Sequence, residues 1–153
     1  LENYNIAIST LPPGHYGIAE ARKRLKAEYA DCRTLEKKLW KSLPKQVRSR
    51  RTLSQDEILS LAAVVCKYLK LRPVTAVHFR SRLAREMHAL GAYEQRKLHF
   101  PYADNVPTTA VCHEIAHHVA AQEGMNSPAH GGDFLWCLSL VYEVLVFWAD
   151  RRK

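Results

Sequence analysis

The chain has 153 residues, 47% of them hydrophobic and 25% charged, an ordinary globular composition with enough length for one domain and a sizeable core. Its formal net charge of +8 is uneven: residues 1–100 carry 20 Lys and Arg against 9 Asp and Glu, and residues 101–153 carry 3 against 6. Low-complexity segments and internal repeats are absent. Four cysteines without a C-x-x-C pair argue against a disulfide-built secreted scaffold and for a reducing cytoplasm.

The start Leu-Glu-Asn-Tyr-Asn has neither a basic n-region nor an apolar h-region, so no signal peptide is expected. Residues 1–14 read as extended up to the Pro12-Pro13-Gly14 break. From Ile18 to Lys41, Leu25, Tyr29, Cys32, Leu35 and Leu39 form an apolar helical stripe, which Pro44 ends. Ser54-Gln55-Asp56-Glu57 is a capping box opening a second helix, carried by Ile58, Leu61, Val65 and Leu69 to Leu71. Val74 to Arg80 alternates and is β-branched, which predicts a strand, and residues 88–94 and 96–100 supply two more.

Val111, Ile115 and Val119 then recur every four positions, after a candidate N-cap at Thr108 or Thr109 and before a candidate C-cap at Gly124. The spacing predicts a helix over residues 109–123. On it lie His113-Glu114-Ile115-Ala116-His117. Histidines four apart stand one above the other, about 6 Å apart, so both imidazoles reach a single metal ion. Glu114 points about 100° around the helix, off the ligand face but within reach of a water on the metal. A last helix over residues 132–151 is apolar nearly all round from Phe134 to Ala149. That stretch is only about 24 Å long against a hydrocarbon core of about 30 Å, and Glu143 sits near its middle, so it predicts a buried core helix and no membrane span.

A catalytic zinc takes three protein ligands and keeps one position open. The metzincin extension is excluded, because Ala120 and Glu123 stand where it wants Gly and His. Two third ligands remain open: His130, which a Gly-rich loop could swing back to the metal, and Glu143 on the final helix.

The His113, Glu114 and His117 helix followed by His130-Gly131-x-x-Phe134 resembles the SprT-like metallopeptidases, small zincins, and in style the short uncharacterised metallohydrolases of bacteria and phages. Gly91-Ala92-Tyr93 and Lys97-Leu98-His99-Phe100-Pro101 resemble the strand pair ahead of their active helix. The likeness spans residues 74–140 and implies His130 as third ligand. It also implies an α+β, zincin-like minimal metalloprotease: helices on a sheet of about three strands, an active helix and a C-terminal apolar helix. Residues 1–72 would form a basic, mainly helical half, and residues 73–153 the metal-binding half of a single domain.

The expected activity is zinc-dependent peptide or amide hydrolysis, with one Zn²⁺ per chain on His113, His117 and His130. The metal acidifies water and Glu114 acts as general base, then general acid. Tyr93, His99 and Tyr142 are candidate oxyanion donors. Asp133 is a candidate to orient a ligand histidine or simply a helix-start residue, and His118 a candidate substrate contact or an interior histidine. His15, His78 and His88 show no partner pattern.

The expected partner is a protein or peptide substrate. Basic residues within 22–51, in the clusters Arg22-Lys23-Arg24, Lys37-Lys38-Lys41 and Lys45-Arg48-Arg50-Arg51, either form a solvated face or attract nucleic acid. Alternative readings are a zinc-containing DNA- or protein-binding module with little catalysis, and a regulatory protease dedicated to one repressor.

Overall fold

The most apolar stretch of the chain is the central helix of the fold, and four other helices gather around it. A computed structural model describes residues 32–86, 91–124 and 132–152. Among them are six helices and two small sheets, an α+β arrangement. In chain order these are α1 (Cys32–Lys41), α2 (Lys45–Arg48), β1 (Thr52–Leu53), α3 (Gln55–Tyr68), β2 (Ala76–His78) and α4 (Arg82–Glu86). They continue with β3 (Ala92–Glu94), β4 (Lys97–His99), β5 (Val106–Pro107), α5 (Thr108–Gln122) and α6 (Gly132–Asp150).

Helix α6 packs on α5, α3, α1 and α2, which is why it is apolar on every side. Leu135, Leu138, Val141, Val144, Leu145 and Trp148 are buried along it, against Leu35 and Leu39 of α1, Ile58, Leu61 and Val65 of α3, and Val111, Ile115 and Val119 of α5. No helix among the described residues is long and apolar enough to cross a membrane. The indole of Trp148 donates to the Ser60 hydroxyl (3.0 Å) and lies under the guanidinium groups of Arg50 and Arg152, which ties the end of α6 to α3.

Helix α3 opens as its sequence dictates: the Glu57 amide donates to Ser54 Oγ (3.3 Å), and the Ser54 amide donates to Glu57 Oε1 (2.9 Å). It ends at Tyr68, three residues earlier than the stripe suggests, because the chain turns through Lys70 in the left-handed region (φ 56°). The predicted first helix is described only from Cys32; its residues 18–31 and the extended stretch 1–14 lie outside the described residues.

Three predicted strands form one sheet in the order β2-β4-β3, with β2 parallel and β3 antiparallel to β4. The β3–β4 hairpin turns through Gln95 and Arg96, both at positive φ (46° and 65°), as a turn matched to strand twist requires. Arg96 is pinned there by hydrogen bonds from its guanidinium to the Pro73 carbonyl (2.8 and 3.2 Å). Register places Val77, Leu98 and Tyr93 side by side on the face toward the core, and His78, His99 and Ala92 on the other.

A second ribbon, β1 with β5, has no counterpart in the sequence pattern because each strand is two residues long. It positions the start of α5. Thr108 proves to be the first helical residue rather than an N-cap: its amide donates to the Arg51 carbonyl (3.0 Å) and its hydroxyl to the Arg50 carbonyl. At the other end Gly124, at φ 64°, takes the left-handed turn that stops the helix.

Candidate metal centre

His113 and His117 lie one turn apart on α5, their ring centroids 4.9 Å apart and the planes at 73°. Ligand-capable atoms of His113, Glu114 and His117 all fall within 4.8 Å of one another, so these residues could hold a metal ion. Two imidazoles and a carboxylate are a donor set that suits a borderline cation such as Zn²⁺.

Three other elements shape this turn of α5. Phe134, in the first turn of α6, lies against both imidazoles, with centroids 4.7 Å from His113 and 4.6 Å from His117. It is 3% exposed, so it walls the histidines on the side of the core. From α1, Glu36 Oε1 accepts a hydrogen bond from His113 Nδ1 at 2.7 Å. The third neighbour is Gly91, just ahead of β3: a Cβ there would stand 2.8 Å from Glu114 Cγ and 3.2 Å from both Glu114 Oε2 and Phe100 Cε1. Only a residue without a side chain lets Glu114 lie where it does.

Electrostatics follow from this crowding. Burial raises the Glu114 carboxyl to about 7; the His113 charge opposes that rise and the Glu36 charge adds to it. Burial alone would lower His113, but the Glu36 hydrogen bond and the charges of Glu114 and Glu36 outweigh it, so its pKa ends up raised. Without a metal ion beside it, Glu114 therefore changes protonation near neutrality.

His118 points to the three-stranded sheet. Its Nε2 donates to the Arg72 carbonyl (2.7 Å), so its Nδ1 accepts from Tyr93 Oη (2.9 Å), and Tyr93 Oη in turn accepts from the Arg96 amide. The ring is 0% exposed, and burial holds its pKa below the ordinary value. His118 is thus an interior histidine, and Tyr93 is its hydrogen-bond partner. His99 lies on the outer face of the three-stranded sheet, bonded to Ser81 Oγ (2.9 Å) and stacked on His78 (4.8 Å). Tyr142 is buried against Trp40 (5.9 Å), its hydroxyl pKa pushed well up by burial, Cys112 and Glu36.

Asp133 is exposed in the first turn of α6, the helix-start position, and the carboxylate on His113 is Glu36 instead. Glu143 is buried in α6 and does not belong to the ligand group formed among the described residues. His130, His15 and His88 lie outside the described residues. Sequence reasoning missed Glu36 altogether. Gly91 was within reach of it, as a glycine opening a strand next to the active helix. No known protein family, characterised protein or solved structure matches the chain.

Proposed function

We propose that the chain is a zinc-dependent metallopeptidase, or a related amide hydrolase, of zincin-like fold. What supports this above all is the convergence of His113 and His117 with a buried Glu114 whose carboxyl sits at about 7. His113 and His117 are two of the ligands; His130, four positions ahead of Phe134 in the sequence, is the third. Bound zinc supplies Lewis acidity, polarising the scissile carbonyl and making water easier to deprotonate. Glu114 takes that water's proton on its carboxylate and returns it to the departing amine. Gly91, without a side chain, leaves the space in which the Glu114 side chain lies, and burial to 7% exposure keeps most bulk water from it. Strand β3, paired on one side only among the described residues, offers an edge along which an extended peptide can lie beside Glu114. Three buried free thiols, Cys66, Cys112 and Cys137, suit a reducing, cytoplasmic setting.

The test is hydrolysis of a protein or peptide mixture by wild type, by chelator-treated protein and by Glu114→Gln. Activity lost on chelation, restored by Zn²⁺ and about 10²–10⁴-fold lower in Glu114→Gln supports the proposal. Equal activity in all three preparations refutes it.

A second reading has its own observation. Arg33, Lys37, Lys38, Lys41, Lys45 and Arg51 are exposed across α1 and the segment after it, while Glu36 alone among residues 33–55 is acidic, which suits a nucleic-acid-binding module with little turnover. Salt-dependent DNA binding with no cleavage by wild type would favour it.

A further inference from the structure

Helix α1 reaches the metal centre through one side chain. Glu36 is 77 positions upstream of His113, yet its carboxylate and the His113 Nδ1 are 2.7 Å apart, with both side chains about a quarter exposed (22% and 24%). An ionised carboxylate only accepts hydrogen bonds, so the contact places a proton on Nδ1 and makes Nε2 the nitrogen that a metal takes. The helix beneath Glu36 is firmly seated. Leu35 and Leu39 are 8% and 1% exposed in the core, and Trp40 packs on Tyr142 of α6. Phe134 bears on the His113 ring from another direction. The ring is therefore fixed in tautomer by one neighbour and in tilt by the other.

We infer that Glu36 is a positioning residue of the metal centre: it locks His113 in the Nδ1–H tautomer and aims its Nε2 at the metal. The inference rests on the metal-site reading above. It makes α1, a helix with no ligand among its described side chains, part of the machinery that tunes metal affinity. Carboxylates in this relation to a ligand histidine typically contribute 10–100-fold to metal affinity.

The experiment compares wild type, Glu36→Ala, Glu36→Gln and, as a control on the other carboxylate near the start of α6, Asp133→Asn. Each protein is stripped of metal and checked for folding by circular dichroism. Zn²⁺ affinity is then measured by competition with a chromophoric chelator. Imidazole nitrogen NMR of the metal-free proteins reads the His113 tautomer directly. The expected result is a dissociation constant about 10–100-fold weaker in Glu36→Ala, a smaller loss in Glu36→Gln, whose amide oxygen still accepts from Nδ1–H, and no change in Asp133→Asn. The tautomer should be Nδ1–H in wild type and mixed in Glu36→Ala. Wild-type affinity and tautomer in Glu36→Ala would overturn the inference. Should Glu36→Ala not fold, the metal-free wild type decides: a neutral His113 ring found in the Nε2–H form or as a mixture of tautomers would overturn the inference as well. Failure of wild type itself to bind zinc would sink the metal-site reading, while the tautomer measurement would still decide whether Glu36 holds His113.

Discussion

His117 and His118 are neighbours in sequence, about 100° apart around α5, yet they belong to opposite kinds of chemistry. On the sheet side, both ring nitrogens of His118 are taken up by neutral groups, the Arg72 carbonyl and the Tyr93 hydroxyl, and the ring has no exposed surface. On the other side His113 and His117 remain part-exposed, share a phenyl wall, and stand among carboxylates, one on His113 Nδ1 and one within ligand distance of both rings. A histidine closed by a carbonyl and a hydroxyl serves packing. A histidine backed by a carboxylate and facing its helical neighbour could hold a cation.

That contrast can be broken from the catalytic side first. Gly91→Ala puts a methyl group 2.8 Å from Glu114 Cγ and must push the carboxylate aside. Misplacement of a reacting group by about 1 Å costs about 10²-fold in kcat/KM, and here it should do so with zinc content unchanged. Unchanged turnover would mean that Glu114 is not held by this contact.

The Glu114→Gln protein offers a subtler readout. The folded-state carboxyl is raised from 4.5 to about 7, so its contribution to stability is present below pH 4.5 and lost as pH rises to about 7. Metal-free Glu114→Gln should lack that dependence and be more stable than wild type at pH 8, by on the order of 1–3 kcal/mol, as thermal melts across pH 4–8 would show. Identical pH profiles would contradict the buried-carboxylate assignment.

The smallest effect concerns the sheet side. Tyr93→Phe removes the donor to His118 and the acceptor for the Arg96 amide, and should cost about 1–2 kcal/mol in denaturant unfolding while leaving peptide hydrolysis intact. A large loss of kcat with little loss of stability would instead return Tyr93 to the oxyanion role.

Much of what is local was legible in the sequence. The turn of α5 that carries His113, Glu114 and His117, the Ser54–Glu57 capping box and the buried character of α6 all follow from spacings within a few residues. Phe134 was visible as part of a short motif, though not its contact with both rings. Glu36 was not legible, because nothing within its own helix distinguishes it from a solvated carboxylate; its partner comes from a fold that closes over 77 residues. The surroundings of the three oxyanion candidates were not legible for a related reason. Strand pairing sends Tyr93 toward His118 and His99 to the outer face, and helix packing buries Tyr142, and none of those orientations is set before the register is known.

The most direct test of the account is zinc content per chain for wild type, His117→Ala and His118→Ala, prepared side by side and checked for folding. One zinc in wild type, little in His117→Ala and one in a destabilised but folded His118→Ala is the predicted outcome. Equal zinc in His117→Ala and wild type, or zinc lost only when His118 is removed, would contradict it.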